Sequence, residues 1–366
     1  MKLIISRTSL TELIGKIQSI VPVKPSLPVL ANILLEAVDD QLILSATDLM
    51  VSIRAFTDAK ILEEGSITLP AKRFFQLVRE LTAPQIELHA ATPETIFINS
   101  GSSHFKIHGM HKLEFPTLPN FSDGIRFTLL ASLVKEIFSR TSFSAARDEQ
   151  QKLLNSIYFE YQNELASFIA TDGKRVAKFE VPLQLPIPNC SLLLPIKAVE
   201  EILKLIDGEE NNVLFILMPD KCAVEIGPIT LMTQLLSGKY PDLSQVLPKK
   251  SSTPIAIHRE ELISLLRQIS LFTSSQSAPV KFSFSSGELY LSAMSGAIGE
   301  GTVNMPVNYA GEKIDIAINP HHFLDVLRHS NDEVVHFDLF GSYNPSLVTD
   351  STSAQFTLIP MRLDAF

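Results

Sequence analysis

SITLPAKRFFQLVREL, residues 66–81, is the stretch that decides the fold, because its outline occurs three times in the chain. A short apolar strand, a proline and an amphipathic helix follow one another there, and the same order returns in SLLLPIKAVEEILKLI (191–206) and DIAINPHHFLDVLRHS (315–330). Each proline is expected in the first turn of a helix, where its fixed φ and missing N–H are tolerated. A constant step of 125 residues separates these prolines, which predicts a threefold repeat: they are Pro70, Pro195 and Pro320.

Two further patterns return with the same period. A helical pattern opens each third of the chain, at 9–20, 132–141 and 261–270, and two runs typical of a β-hairpin follow it. In the first and third helices the apolar residues have the i, i+3, i+4, i+7 spacing of one buried face. These residues are Leu10, Leu13, Ile14, Ile17, Leu262, Leu265, Leu266 and Ile269.

The hairpin pattern is clearest in KFSFSSGELYLSAMS (281–295), where apolar residues alternate on both sides of a turn at Ser286-Gly287. Corresponding runs occupy 33–48 and 156–172, and both contain the tripeptide ATD. We therefore expect an α+β protein of three repeated domains, each with two helices packed on antiparallel sheets. The expected domains are residues 1–125, 126–250 and 251–366.

The composition is that of a folded globular chain. Hydrophobic residues make up 45% of the 366 residues and charged residues 19%, which excludes an intrinsically disordered protein. The sequence has no apolar run long enough to span a bilayer and no cleavable signal pattern at its start, so we expect a cytoplasmic protein. The two cysteines, Cys190 and Cys222, are too few for a disulfide framework.

The net charge of −9 argues against a conventional DNA-binding protein, which usually has a basic surplus. The predicted helices nevertheless contain 12 Lys and Arg residues against 8 Asp and Glu residues. Such a small excess also follows from the helix propensity of Lys and Arg. If all six helices faced one way, however, they would form a mildly basic surface suited to sequence-independent contact with phosphates. The helix windows are 7–20, 71–82, 131–142, 196–206, 258–270 and 321–330.

Five stretches carry a resemblance to a known family: LPAKRFFQLVREL, LLNSIYFE, ATDGKRVAKFEVP, YPDLSQVLP and the terminal IPMRL. With the threefold unit and the length, they resemble bacterial DNA polymerase III beta subunits, the sliding clamps, from end to end. The resemblance implies a homodimeric ring of six similar domains around duplex DNA, with helices lining the hole. It further implies a processivity factor without enzymatic activity or cofactor. Such a factor tethers the replicative polymerase and repair proteins and is opened by a clamp-loader ATPase.

The resemblance also implies a groove between the second and third domains, in which short peptides of partner proteins dock. Apolar side chains and an adaptable methionine suit such a groove. Without the resemblance, Leu154, Val176 and Val246 are read more simply as core residues. The positions that match the groove are Leu154, Thr171, Gly173, Arg175, Val176, Pro241, Val246, Ile359, Pro360, Met361 and Arg362.

The implied contacts with DNA and with a second chain involve fewer residues. Lys24 matches a basic residue that reaches DNA in the family, and each basic candidate is equally well explained as a solvated surface charge. The further DNA candidates are Arg73, Arg147, Lys197 and Lys281. The dimer interface is expected to join the first domain of one chain to the third domain of the other. Its expected residues are Leu77, Phe105, Leu271, Phe272 and Glu300.

The chain departs from the family pattern at several of these places. Gln245 and Leu243 stand where the family often has an arginine-like residue and an aromatic residue, and Asp364–Phe366 extends past the usual end. Ser102–His104 replaces much of the basic side of the dimer interface. The peptide preference, the role of the tail and the strength of the dimer are therefore not determined by the sequence.

Motifs for catalysis or metal binding are weak. His104, His108 and His111 lie close together, but the alternating apolar residues between them predict a strand with surface histidines. GKR at 173–175 lacks the flanking residues of a phosphate-binding loop, and GAIGEG (296–301) is better read as a hairpin turn than as a dinucleotide loop. A peptide-binding scaffold without DNA and an enzyme with an unrecognised site remain as alternatives. The resemblance favours the clamp.

Overall fold

The computed structural model of the protein describes residues 1–121, 123–148, 150–208, 211–248, 253–275 and 277–362. The chain forms two compact units. One is built from Met1–Lys135 and Lys197–Leu235, and the other from Glu136–Ile196 and Leu236–Phe366. In each unit, antiparallel sheets are packed against helices.

The helices of the described chain lie where the repeat predicts them. They are α1 (Arg7–Ile17), α2 (Ala71–Glu80), α3 (Ala131–Thr141), α4 (Ile196–Leu205), α5 (Arg259–Ile269) and α6 (Pro320–Arg328). The predicted apolar faces of α1 and α5 are buried, except that Leu265 is half-buried. Pro320 begins α6 as expected, whereas Pro70 and Pro195 are the last residues of strands. Both of those prolines still lie opposite residues of a neighbouring strand, so the helix begins one residue later.

The strands account for most of the remaining described chain. In the first third they are β1 (Lys2–Ser6), β2 (Asn32–Val38), β3 (Gln41–Thr47), β4 (Val51–Asp58), β5 (Lys60–Glu63), β6 (Gly65–Pro70), β7 (Gln85–Thr92), β8 (Thr95–Ser100) and β9 (Ser103–His108). In the second they are β10 (Ile125–Leu130), β11 (Ser156–Gln162), β12 (Leu165–Thr171), β13 (Arg175–Pro182), β14 (Cys190–Pro195), β15 (Asn212–Leu217), β16 (Lys221–Ile226) and β17 (Ile229–Gln234). In the third they are β18 (Ile255–His258), β19 (Val280–Ser285), β20 (Glu288–Ser295), β21 (Gly299–Pro306), β22 (Ile314–Ile318), β23 (Val334–Asp338), β24 (Ser346–Thr349) and β25 (Ala354–Leu358).

The order of elements confirms the threefold repeat. Each third runs strand, helix, four strands, helix, three strands, and the first third has β5 in addition. The expectation that a helix opens each third was wrong, because a short strand precedes it every time. These opening strands pair with strands that follow the second helix of the same third, so no local hairpin pattern marks them.

The sheets join neighbouring repeats. In the first unit a five-stranded sheet has the order β5-β1-β7-β8-β9, and an eight-stranded sheet has the order β10-β15-β16-β17-β4-β3-β2-β6. In the second unit the eight-stranded order is β14-β11-β12-β13-β25-β24-β23-β18, and the four-stranded order is β21-β20-β19-β22. Each eight-stranded sheet therefore forms where the last strand of one repeat pairs with the fourth strand of the preceding repeat, as β17 does with β4 and β25 with β13.

A main-chain bridge closes each repeat just after its last strand. Met110 bridges to Thr68, the N–H of Leu236 donates to the carbonyl of Leu193 at 3.0 Å, and Met361 bridges to Ala317. The apolar segment after β25 is thus hydrogen-bonded to β22 in the same way as the corresponding segments of the two earlier repeats are bonded to β6 and β14. Part of its hydrophobic character follows from this structural role.

A buried ion pair fixes the last hairpin of the chain to α3. Arg140 Nη1 donates to Asp350 Oδ2 at 2.8 Å, and both side chains are almost fully buried. Burial alone would raise the pKa of Asp350. Hydrogen bonds from Thr352, Asn331 and Arg140 outweigh burial and hold that pKa below its ordinary value. Because the pKa is depressed in the folded chain, this carboxylate stabilises the fold above about pH 4 and less so as the pH falls further.

We expect Asp350→Asn to lower the free energy of unfolding by about 3 kcal/mol at neutral pH, because it removes the buried carboxylate that balances the Arg140 charge. Glu136, 3.5 Å from the guanidinium and more exposed, is the carboxylate that remains. Urea denaturation measures this, with the exposed Asp220→Asn as the matched control. The variant should also lose less stability than the parent between neutral pH and strong acid. Equal pH profiles would show that the pair does not stabilise the fold.

Candidate functional site

The turn between β12 and β13 is built by its own side chains. Thr171 Oγ1 donates to the carbonyl of Arg175 at 2.6 Å and accepts the N–H of Gly173 at 3.0 Å. Asp172 Oδ1 accepts the N–H groups of Lys174 and Arg175 at 2.9 and 3.1 Å. Gly173 has φ +82°, a left-handed conformation that glycine adopts without strain. A Cβ at this glycine would meet no atom within 4 Å, so the turn presents open main chain to a ligand.

Arg175 ties this turn to two other elements. Its guanidinium donates to Asp172 at 3.1 Å, to Asp325 on α6 at 2.8 Å and to the carbonyl of Phe143 at 2.9 Å. The same group lies over the Phe143 ring, 5.4 Å from its centroid. Because Arg175 is buried and these donors point at protein acceptors, its effect on a ligand would come from positioning the turn.

The segment that follows β25 runs beside this turn. The N–H of Ile359 donates to the carbonyl of Lys174 at 3.1 Å, and that of Met361 donates to the carbonyl of Ala317 at 2.8 Å. Ile359, Pro360 and Met361 are half-buried, and Arg362 is exposed. The predicted tail Asp364–Phe366 lies outside the described residues.

An apolar cluster extends from the turn to the segment that connects the second and third repeats. Its buried members are Ile169, Val176, Leu193 and Tyr240, and Leu154 and Val246 pack against them. Three predicted groove residues, Leu154, Val176 and Val246, thus share one cluster. Val176 is buried, whereas Leu154 and Val246 are half-buried and Pro241 beside them is exposed, so these two are not simply interior.

A titratable group lies at the start of α6 next to this region. Burial, and after it the positive charge of Arg175, lower the pKa of His322. The imidazole is therefore neutral at pH 7, where it offers one donor and one acceptor. No group of three metal-ligating side chains occurs among the residues that the structure describes.

The comparisons with known proteins agree along the chain. Residues 1–119, 128–242 and 244–363 match the family models of the N-terminal, central and C-terminal domains of the DNA polymerase III beta subunit. Over 364 residues the chain is 46% identical to the beta sliding clamp of Chlamydia muridarum, with 99% of each chain covered. The chain belongs to the DNA polymerase III beta subunit family.

More distant family members share the fold. The Escherichia coli beta sliding clamp is 27% identical over 366 residues, with 99% of this chain and 100% of that protein covered. The crystal structure of the DNA polymerase III subunit beta from Pseudomonas aeruginosa has a TM-score of 0.94 at 26% identity, covering 99% of this chain and all of that one. Within the described residues, no helix is long and apolar enough to cross a membrane.

The residues predicted to contact DNA lie in different surroundings. Lys24 is exposed in a loop, Arg73 is exposed on α2, and Arg147 is exposed after α3. Lys197, on α4, forms an ion pair with Asp48. Lys281 lies on strand β19 and not on a helix, where its ammonium is 2.9 Å from a carboxylate oxygen of Asp315. Three of the five candidates, Lys24, Arg73 and Arg147, are therefore exposed, and the other two lie beside carboxylates.

Two of the predicted dimer residues lie on strands that end their sheets. Phe105 is exposed on β9, at one end of the five-stranded sheet, and Glu300 is exposed on β21, at one end of the four-stranded sheet. Leu271 is 72% exposed, and its neighbour Phe272 is half-buried. Leu77 on α2 is half-buried as well.

Sequence reasoning missed the residues that hold the turn between β12 and β13 in place. Asp325 and Phe143 contact Arg175 across 150 and 32 positions of sequence, and no local spacing connects them. A sequence signal existed for Tyr240, because it is the first residue of YPDLSQVLP, one of the stretches that resemble the family. Its ring stacks on that of Tyr158 at 5.2 Å with an interplanar angle of 6°.

We expect Arg175→Lys to lower the free energy of unfolding by about 2 kcal/mol, because a lysine cannot reach three acceptors with a planar fork. Chemical denaturation measures the loss, and limited proteolysis at 172–174 reports the loosening of the turn. Lys174→Ala, an exposed neighbour, serves as the control. An Arg175→Lys chain as stable and as resistant as the parent would contradict the positioning role.

Proposed function

We propose that the chain works as a DNA sliding clamp, a processivity factor that closes around duplex DNA as a homodimer and has no enzymatic activity. Its proposed partners are double-stranded DNA, the catalytic subunit of DNA polymerase III, the clamp loader and other polymerases and repair proteins with clamp-binding peptides. The observation that carries the proposal is one kind of strand pairing between repeats. This pairing occurs twice within the described chain, and one further pair of strands of the same kind lies at sheet edges. We place its action in the cytoplasm, with no membrane contact.

The pairing joins neighbouring repeats. The first residue of a last strand lies opposite the fifth residue of a fourth strand: Ile229 of β17 faces Ala55 of β4, and Ala354 of β25 faces Phe179 of β13. The last strand of the first repeat, β9, and the fourth strand of the third repeat, β21, each end a sheet. Edge strands carry main-chain groups ready to pair with another chain. Two copies related by a two-fold axis satisfy both edges and close a ring of six repeats.

The same register predicts which residues meet in this interface. Ser103 would face Val303, Phe105 would face Gly301, and Lys106 would face Glu300 of the second copy. Phe105 shares a strand face with the buried Ile107, so its exposed ring is directed to the core side.

Because Gly301 has no side chain, the ring of Phe272 can lie against it on that side. A Cβ at this glycine would lie 2.9 Å from the Phe272 ring. Phe105 would therefore pack against Phe272 and the exposed Leu271. On the opposite face, Lys106 and Glu300 form the cross-strand ion pair.

Weak contact with DNA suits a ring that must slide. Topology keeps the duplex inside, so tight ion pairs are unnecessary and would hinder movement. The small basic excess of the helices, with Lys24 and Arg73 exposed, supports water-bridged contact with phosphates that is independent of sequence.

The proposed peptide groove follows the turn of Gly173, the segment Ile359–Arg362 and the connecting residues Pro241 and Val246. The groove offers an apolar floor, open main chain at the turn and one exposed cation at Arg362. These features suit an extended peptide with alternating apolar side chains and a carboxylate. Thr171, Arg175 and Val176 hold the turn and the floor in place.

Charge reversal tests the proposed dimer. The parent should elute near twice 40.5 kDa, and Lys106→Glu or Glu300→Lys should each weaken the dimer about tenfold, since like charges then face each other in both interfaces. Sedimentation at a series of concentrations measures this. The two changes combined in one chain should restore the dimer, and Lys60→Glu, at the other end of the same sheet, should leave it unchanged. Failure of the double variant to recover would refute the register.

Truncation of the groove tests partner binding. We expect Met361→Ala with Arg362→Ala to weaken a peptide from the polymerase catalytic subunit about tenfold or more, through lost apolar contact and lost charge. Calorimetric titration measures the affinity, and an unchanged melting temperature confirms an intact fold. Unchanged affinity would exclude this groove.

Substitution of two glycines with nearly the same backbone geometry distinguishes the cost of backbone strain from an effect on peptide binding. Gly173→Ala and Gly287→Ala both place a Cβ in open space at φ +82° and +81°, so both should cost about 1 kcal/mol of stability. Peptide affinity should fall only in Gly173→Ala. If both variants bind peptide equally well, the turn does not contact the ligand.

A further inference from the structure

A second cavity adjoins the proposed groove on the other side of the connecting segment. It has a volume of about 840 Å³ and lies on the face of the sheet made by β14, β11, β12 and β13, partly covered by residues 236–247. Its apolar lining includes Tyr158, Ile169, Leu193 and Leu243. Among the predicted groove residues, Pro241 alone lines it, and the cavity shares Ile169, Leu193 and Tyr240 with the apolar cluster described above.

The cavity contains a polar atom that lacks a partner. Ser167 is 6% exposed, lines the cavity, and its Oγ has no hydrogen-bond partner within the part of the chain that the structure describes. A buried hydroxyl without a partner costs about 1–3 kcal/mol relative to a bonded one. A ligand with a main-chain amide would remove that cost.

The charges of the cavity favour a cation. Lys178 and Glu180 neutralise each other at 2.9 Å. Glu160 accepts a hydrogen bond from the Tyr158 hydroxyl at 3.2 Å. Asp242 adds a second carboxylate against the exposed Lys239. The excess negative charge therefore lies beside Tyr158.

The aromatic lining favours a planar cation over an ammonium. The rings of Tyr158 and Tyr240 stack at 5.2 Å, next to the Glu160 carboxylate. A guanidinium can stack on a tyrosine face while it donates to a carboxylate, which an ammonium does less well. Arginine is thus the side chain that this combination recognises best.

The first repeat supplies an internal comparison. A pocket at the corresponding place has a volume of about 360 Å³ and is lined by Leu34 and Leu113, which stand where the larger cavity has Tyr158 and Gly238. Glu36 corresponds to Glu160. The aromatic pair and the larger volume are therefore features of the second repeat and not a general consequence of the fold.

We propose that this cavity binds an arginine next to a large apolar side chain, in a partner segment that continues from the groove across the connecting residues. The guanidinium pairs with Glu160 against Tyr158, the apolar side chain lies on Ile169 and Leu193, and a main-chain amide bonds to Ser167 Oγ. This assignment rests on the proposed function for the identity of the partner, but the cavity itself can be tested without the groove.

The test is an NMR titration of the full chain with acetyl-Phe-Arg-amide, following the ring signals of Tyr158 and Tyr240. Acetyl-Phe-citrulline-amide, which has nearly the same shape without the charge, is the matched probe. The arginine probe should bind about fivefold more tightly than the citrulline probe. Glu160→Gln, which keeps the hydrogen bond from Tyr158, should abolish the difference.

Controls separate this site from the groove. Met361→Ala with Arg362→Ala should preserve the arginine preference, whereas its loss in that variant would place the probe in the groove and overturn the proposal. Equal binding of the two probes, or a preference that survives Glu160→Gln, would also overturn it. If the dipeptide behaves as expected while partner peptides do not bind, the groove assignment fails and the cavity stands.

Discussion

Antiparallel pairing between the last strand of one repeat and the fourth strand of another is the interaction on which the structure depends. A repeat by itself leaves both strands with unpaired main-chain groups at its edges. Within the chain this pairing occurs twice, at β17 with β4 and at β25 with β13, and it converts four-stranded sheets into eight-stranded ones. One last strand and one fourth strand remain at sheet ends, and a second copy is the partner that satisfies both by symmetry.

The proposed peptide groove lies where one of these pairings ends. Arg175 is the first residue of β13 and faces Leu358 at the end of β25. Its guanidinium then reaches α6 and the chain after α3, so three parts of the repeat structure are fixed at one edge of the groove. Hydrogen bonds and ion pairs of this kind stabilise the fold less than apolar packing does. They do specify one geometry for the turn that a ligand would contact.

Much of this architecture could be predicted from the sequence, because its signals are local or periodic. The helix α5 was expected at 261–270 and spans Arg259–Ile269, and the hairpin of β19 and β20 turns at Ser286-Gly287 as expected. The opening strands were missed since their partners lie beyond the second helix. The contacts of Arg175 with Asp325 and of Arg140 with Asp350 join positions more than a hundred residues apart, so only the folded chain reveals them. That the proposed groove residues lie close together could be predicted only from the family resemblance.

Retention on DNA by topology is the central claim, and one measurement addresses it directly. The chain is loaded by its clamp loader onto a closed circular duplex, and the amount of protein that remains on the DNA in high salt is measured before and after the circle is cut once. The account predicts retention on the circle, because screening of phosphate contacts does not open a ring. It also predicts release on cutting, because the ring slides off the ends. Loss from the intact circle in salt, or retention on the linear duplex, would contradict it.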